Sequence, residues 1–295
     1  MTVRPLWPDD LGAAHALWSA GALLYPLAPD ALADLLWGDG ANALAAESDG
    51  RLVGLAVGAL WPVADEVRGS VRAVLVAPDA RRQGVGTALL EAIETDLRQR
   101  GATEARLVEG APVYLTPGVD ARATEALAFV ESRGYAPFAE SVDLAADLDQ
   151  PLDTANDEAR LAAAGVSVHR ARESDRDGLA ALLDAHWPAW RAEADRALAQ
   201  DPPPLHVAVR EDHVLGFAAH SVTPLARGRF GPMGTAPEAR ELGIGAVLLR
   251  RGLRDLRDGG REQAVIGWAA ALPFYELAVG ATVARRYRRL AKALG

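Results

Sequence analysis

Apolar and polar positions along the chain follow one plan that is run through twice. Thr2–Gly21 (TVRPLWPDDLGAAHALWSAG) opens with a short strand and a polar turn at Pro8, Asp9 and Asp10. Leu11, His15 and Trp18 then fall on one side of an amphipathic helix. Val166–Trp187 (VSVHRARESDRDGLAALLDAHW) repeats the plan, with Ser174 and Asp175 as helix-start residues. Gly50–Leu60 and Asp212–Val222 read as strands after tight polar turns at Asp49 and Gly50, and at Glu211 and Asp212. Each copy continues with a short apolar strand, a glycine loop and a long helix. In the first copy the strand Ala73–Val76 ends at Pro78, which cannot continue a central ladder. Its helix carries Leu89, Leu90, Ile93 and Leu97 at helical spacing and stops at Gly101. Ala102–Glu109 (ATEARLVE) and Gln263–Ala270 (QAVIGWAA) read as later strands.

The loops themselves are near copies, APDARRQGVG (Ala77–Gly86) and APEARELGIG (Ala236–Gly245). About 160 residues separate Gly84 from Gly243, far more than the roughly 20 to 50 of a solenoid repeat. A duplicated domain is implied: 1–147, a linker over 148–165, and 166–295. The linker is assigned because that stretch is acidic, carries Pro151 and shows no clean periodicity until its end. The element order predicts an α/β (α+β) class, with a mixed sheet flanked by helices in each half.

Composition narrows the function. The chain has 295 residues and is half hydrophobic, enough for two cores. No run approaches the roughly 20 apolar residues of a membrane span. The opening MTVRPLWPDD lacks a basic-then-apolar signal, so a cytoplasmic protein with no membrane partner is expected. A net charge of −9 argues against nucleic-acid binding and suits a cationic substrate such as an amine. With no cysteine, disulfides, thiolate nucleophiles and Cys-based metal sites are excluded. The six histidines form no HExxH or i, i+4 pair, so no metal is expected. Monomer and homodimer stay open.

The loop supplies the chemistry. Two glycines let the backbone approach a ligand closely, and the following helix turns its first N–H groups and dipole toward it, which makes an anion site. Arg81, Arg82 and Gln83 add donors. A dinucleotide fingerprint needs a small residue where Leu89 and Leu248 stand, and a Walker loop needs Gly-Lys-Ser/Thr, which is absent.

A strand followed by V-x-P-x-x-R-x-x-G-x-G and a helix resembles the acetyl-CoA loop of the GNAT superfamily of N-acetyltransferases. The likeness covers Val76–Gly86 and, more weakly, Thr235–Gly245. A second cue, a late helix of the form A-x-x-F-Y-E-x-x-G-F, appears as ALAFVESRGY (Ala126–Tyr135) and ALPFYELAVGA (Ala271–Ala281). Two such halves in one chain are similar to tandem enzymes of the mycothiol synthase type, and imply two tandem GNAT folds with splayed sheets.

The resemblance implies acetyl-CoA as cofactor and an amine as acceptor. Backbone groups of Leu75 and Val76, or of Gly234 and Thr235, would pair with the pantetheine arm, one N–H polarising the thioester carbonyl. The pyrophosphate would lie on Arg81, Arg82, Gln83, Gly84, Val85, Gly86 and Thr87, or on Arg240, Gly243, Ile244, Gly245 and Ala246. The second loop departs from the pattern, with Glu241 and Leu242 where the first has Arg82 and Gln83. Pro232 removes a ladder donor from the preceding strand and predicts a bulge or a splayed strand. The family's general acid falls on Tyr275, with a packing aromatic as the alternative reading, and the matching position of the first half is Val130.

No general base is evident. Asp65 and Glu66 lie in a turn-like stretch, and His186 and His220 are candidates alongside a water chain. Trp187, Trp190 and Trp268 fall where the family builds its acceptor pocket. The basic ARRYRRLAK (Ala284–Lys292) reads as a solvated edge strand or a contact for an acidic group. These features imply an N-acetyltransferase that moves an acetyl group directly to the primary amine of a small-molecule or peptide acceptor in a ternary complex. A catalytically inactive acyl-CoA-binding or regulatory protein is the alternative.

Overall fold

The computed structural model describes residues 1–21, 25–63, 66–110 and 112–295; Asp65, weighed as a base, lies outside the described residues. The chain forms two units, Met1–Ser141 with Arg286–Gly295, and Val142–Arg285. The elements run β1 (Thr2–Pro5), α1 (Leu11–Gly21), α2 (Pro29–Trp37), β2 (Asn42–Ser48), β3 (Arg51–Val63), β4 (Glu66–Val76), α3 (Val85–Gln99) and β5 (Glu104–Leu107). Then follow β6 (Val119–Asp120), α4 (Thr124–Glu131), β7 (Ala136–Asp147), α5 (Ala155–Ala163), β8 (Ser167–Arg170), α6 (Arg176–His186) and α7 (Arg191–Leu198). The chain closes with β9 (Leu205–Arg210), β10 (His213–His220), β11 (Arg229–Thr235), α8 (Ile244–Asp258), β12 (Gln263–Ile266), α9 (Leu272–Val279) and β13 (Thr282–Ala293).

In the first unit β1 to β4 pair antiparallel in sequence order, β4 pairs parallel with β5, and β13 pairs antiparallel with β5 and β6. In the second, β8 to β11 pair antiparallel, β11 is parallel to β12, and β12 pairs with β7. This is the mixed sheet that the element order predicted, present twice. The apolar stripe of α3 packs on β3, where a Cβ at Gly54 or Gly58 would stand 2.8 and 2.7 Å from Leu89 and Ile93. Helix and sheet are therefore closer than any larger residue there allows.

Two stretches differ from the sequence reading. Residues 148–165 contain α5, whose Glu158 accepts from Arg251 of α8 at 2.7 and 2.8 Å and whose Asp157 accepts from Arg250 at 3.1 Å. Those partners lie some 90 positions away, and only Leu161 of the helix is buried. Local periodicity could not reveal it. The C-terminal basic run is the other. Tyr287 and Leu290 are fully buried, and three of its five charges form ion pairs: Arg288 to Glu131, Arg289 to Glu109, Lys292 to Glu94. It is a partnered strand of the first unit's sheet and not a solvated ribbon.

Glu109 anchors that strand. It is 0% exposed and accepts from Arg289 Nε at 2.6 Å and Arg106 Nη1 at 3.2 Å. Removing one member of a buried ion pair strands the other charges. Glu109→Ala should therefore cost about 3 kcal/mol, read as a lowered urea midpoint, and a loss under about 1 kcal/mol would show the pairs to be solvated.

Candidate functional site

The site grows out of a break in each sheet. Strands β4 and β5 are paired only from Arg68 with Glu104 to Val71 with Leu107, and the last bond is Val108 N to Val71 O at 2.9 Å. Strands β11 and β12 are paired only at Arg229 with Val265 and Phe230 with Ile266, ending with Gly267 N to Phe230 O at 3.2 Å. Each long strand bulges where it departs. Opposite β3 the register jumps from Ala73 to Val71, which leaves Arg72 over; opposite β10 it jumps from Met233 to Phe230 across Pro232. Leu75 and Val76, and likewise Gly234 and Thr235, thus pair with a neighbour on one side and face a cleft on the other.

At the mouth of each cleft lies the glycine loop, and the two loops differ. In the first, a single 3-10 turn (Pro78–Ala80) is followed by Arg82 at φ 63° and Gly84 at φ 85°. The N–H groups of Arg81, Arg82, Gln83 and Gly84 donate no hydrogen bond within the described residues. The opening amides of α3 at Val85, Gly86 and Thr87 lack helical acceptors as well. These amides, with two exposed arginines, suit a polyphosphate. Arg81 donates to Val76 O at 3.3 Å and Gly21 O at 3.4 Å, and Gln83 donates to Asp79 O at 3.0 Å.

In the second loop the 3-10 helix runs on through Pro237–Leu242, so its amides turn inward, and Gly243 N points to Arg240 O at 3.5 Å. Only Gly243 is left-handed there, at φ 78°. Arg160 of α5 covers it, donating to Leu242 O at 2.7 Å with Nη2 2.8 Å from where a Cβ on Gly243 would stand. Arg240 is exposed, while Ile244 is buried and Gly245 and Ala246 are half-buried.

Phe129 and Phe274, from the late helices α4 and α9, pack alike on the two loops. A Cβ at Gly86 would be 3.3 Å from Phe129, and one at Gly245 would be 3.5 Å from Phe274. Beside Phe129 the first unit has Arg133, stacked 4.0 Å over the ring and donating to Thr87 Oγ1. Sequence reading passed over Arg133, although it stands inside the quoted ESRGY motif. Beside Phe274 the second unit has Tyr275, 9% exposed, its ring 5.0 Å from Phe274; burial pushes its phenol up to about 12, so it holds its proton at neutral pH.

The other sheet face of the second unit carries aromatics and charge. Trp187 stacks on Trp190 at 5.5 Å, both lie near Phe217, and a Cβ at Gly234 would fall 2.6 Å from the Trp187 ring. His186 is exposed, its ring 5.3 Å from Trp187. Trp268 N donates to Asp143 Oδ1 at 2.9 Å, and Arg229 donates to Asp143 Oδ2 at 3.1 Å. Glu193 of α7 is 4% exposed, and no hydrogen bond in the described residues reaches its carboxyl. Burial pushes it up to about 8 against the opposing pull of Arg229. Nothing in the sequence around Glu193 (RAEADRAL) sets it apart from a surface residue. His220, by contrast, is tied into a separate interior cluster, where Asp255 accepts from His220, His206 and Arg170 at 3.2, 2.8 and 2.8 Å.

Two halves, each with a diverging sheet, a glycine loop at its mouth and an aromatic helix behind it, agree with the family comparison. Residues 13–113 and 172–281 match the Acetyltransferase (GNAT) family. The chain belongs to that family. No curated protein sequence matches it. Among solved structures, this GNAT chain is similar to a glucosamine N-acetyltransferase region of a fungal multi-domain GH3 β-N-acetylglucosaminidase, with 23% identity and a TM-score of 0.86. That match covers 98% of this chain but 38% of the fungal one. It is also similar to a tandem GNAT protein from the clavulanic acid biosynthesis pathway (18% identity, TM-score 0.71, 100% and 98% covered). A GCN5-related N-acetyltransferase from Sphaerobacter thermophilus is similar as well (20% identity, TM-score 0.67, 99% and 95% covered). At these identities the structures share the fold. No helix among the described residues of this GNAT chain is long and apolar enough to cross a membrane.

The raised carboxyl has a measurable consequence. Between about pH 4.5 and 8 the folded chain keeps a proton on Glu193 that the unfolded chain has lost, so this residue makes stability fall as pH rises through that window. Glu193→Gln should flatten the decline of Tm with pH and melt higher than the wild type at pH 9. Parallel curves for the two proteins would show that Glu193 titrates normally.

Proposed function

We propose that the chain is an acetyl-CoA-dependent N-acetyltransferase that passes an acetyl group directly to the primary amine of a small-molecule or peptide acceptor within a ternary complex. The observation carrying this reading is the open edge of β11, with its glycine loop beyond Thr235 and Phe274 of α9, the neighbour of Tyr275, packed on that loop. Acetyl-CoA supplies an acyl group already activated as a thioester. The chain contributes position, polarisation and protons. Backbone groups of Gly234 and Thr235 hold the arm and polarise the carbonyl, while Gly243, Ile244, Gly245, Ala246 and Arg240 receive the pyrophosphate. Tyr275 donates its proton to the leaving sulfur. Val130 stands at the matching position of the first unit and cannot do so. That unit, with Leu75, Val76 and the amides of Arg81–Thr87, is the tighter CoA site.

The net charge of −9 favours a cationic acceptor. The fungal relative's region is a glucosamine N-acetyltransferase, so the same fold serves a small amine elsewhere. Nucleic acid and membrane are not expected partners, and a cytoplasmic monomer or homodimer is the simplest state.

A second reading has its own support. Arg160 over Gly243 and the inward-turned amides of the second loop suit a chain that binds acyl-CoA in the first unit and regulates without turnover. Calorimetry and an amine panel separate the two. The first reading expects Arg81→Ala to weaken one CoA site about tenfold or more, as the loss of a charge-assisted bond does. It also expects Tyr275→Phe to lower kcat about 10²-fold with CoA affinity unchanged. CoA binding without CoA release for every amine would establish the regulatory reading instead.

A further inference from the structure

Each unit packs the end of a helix, α1 or α6, on the strand that borders its cleft, and the two do so with the bulk exchanged. Leu75 and Gly234 hold the same place, three residues before the proline of each glycine loop. In the first unit the strand carries the bulk. A Cβ on Gly21, the last residue of α1, would stand 3.0 Å from Leu75 Cδ1. In the second unit the helix end carries it. A Cβ on Gly234 would stand 2.6, 2.8 and 2.9 Å from three ring atoms of Trp187, the residue that follows α6. Gly234 does not have a positive φ, so its backbone conformation does not call for glycine. The closeness of the ring does.

The indole is held from behind. Trp187 N donates to Leu183 O at 2.7 Å, and the 3-10 turn Pro188–Trp190 brings Trp190 back against it, with Trp190 N donating to Trp187 O at 3.0 Å. The two indoles stack at 5.5 Å with 23° between their planes. Both lie near the fully buried Phe217, at 6.2 and 6.1 Å. Phe217 is the partner of Gly234 across β10 and β11, so the rings and the strand form one packed layer. A ring seated in this way moves aside only by displacing Trp190 or Phe217. Successive residues of a strand point to opposite faces, so Met233 and Thr235 point away from that layer. There a Cβ at Gly245 would lie 3.5 Å from Phe274, 3.6 Å from Thr235 Oγ1 and 3.7 Å from Met233 Cε. At Gly234 the edge of β11 thus has Trp187 on one sheet face and Met233, Thr235 and Phe274 on the other.

We propose that Trp187 is the specificity-determining residue for the acyl group in the second unit, its ring forming the wall that admits acetyl and rejects longer chains. The inference rests on the acetyltransferase reading, in which the thioester lies along Gly234 and Thr235. A carbonyl polarised by a backbone group there carries its acyl carbons beside the ring that covers Gly234. Acetyl ends after one methyl. Each further methylene must displace a stacked indole or pull the carbonyl away from its donor. One methylene too many in a packed site costs a factor of about ten or more.

The test uses the full chain with acetyl-, propionyl-, butyryl- and hexanoyl-CoA. Its amine is the member of a mixed panel (polyamines, amino sugars, amino-acid amides) that releases CoA fastest from the wild type. The wild-type kcat/KM should fall about tenfold or more from acetyl to propionyl and again to butyryl. In Trp187→Ala the butyryl-to-acetyl ratio of kcat/KM should rise about 10²-fold. Trp187→Phe, which removes less of the wall and guards against a misfolded alanine variant, should raise it by a smaller factor. A ring that merely supports the fold, or that only receives the amine, would change turnover with every thioester by one common factor. An unchanged ratio in the folded variants would overturn this inference alone, and so would wild-type turnover that is flat across the series. Absence of CoA release from the wild type with every thioester and amine would overturn the acetyltransferase reading, and this inference with it.

Discussion

Everything functional in this chain depends on where two parallel ladders stop. After Val71 on β4 and after Phe230 on β11, the neighbouring strand leaves. A bulge in each long strand marks the departure, since an extra residue adds twist and takes the strand out of register with its partner. Backbone polar groups in a sheet interior cost free energy when unpaired. A free edge of this kind persists when it faces a cleft that water or a ligand can enter. The open edge is thus an unfinished sheet whose backbone groups are left for water or a ligand.

At the mouths of these clefts, duplication has left two loops that look alike in sequence and differ in which way their amides face. The first 3-10 turn ends at an extended Arg81, and with Arg82 in the left-handed region after it a run of N–H groups is left without acceptors among the described residues. In the second loop the turn continues for six residues and consumes them, and Arg160 lies across the glycine. The late helices diverged in the opposite sense. The first supplies a cation, Arg133, to the opening turn of α3; the second supplies a phenol, Tyr275, raised by burial. Outward amides and cations are therefore concentrated in the first copy, and the buried phenol is in the second.

Helix α5 and strand β13 belong to the same account. Each is stabilised by ion pairs to residues far away in sequence: α5 through Asp157 and Glu158, β13 through Arg288, Arg289 and Lys292. In β13 one of the partners, Glu109, is fully buried, so the pairing there specifies a position more than it adds stability. A charge run that reads as a solvated surface is in this fold the means by which a strand is kept in place.

By itself the sequence determined the duplication, the strand–loop–helix order, a helix opening at each glycine loop, the break at Pro232 and the likeness to the GNAT family. These are local: period, turn chemistry and glycine spacing are written within a few residues of where they act. What only the tertiary structure decided is long-range. The helix hidden in 148–165, the partners of the basic strand, the cover over Gly243, the role of Arg133 and the burial of Glu193 all follow from contacts between distant segments. Glu193 shows the reason most plainly. Between Ala192 and Ala194 it reads as any solvated helix residue, and its ionisation changes because the tertiary fold buries its carboxyl.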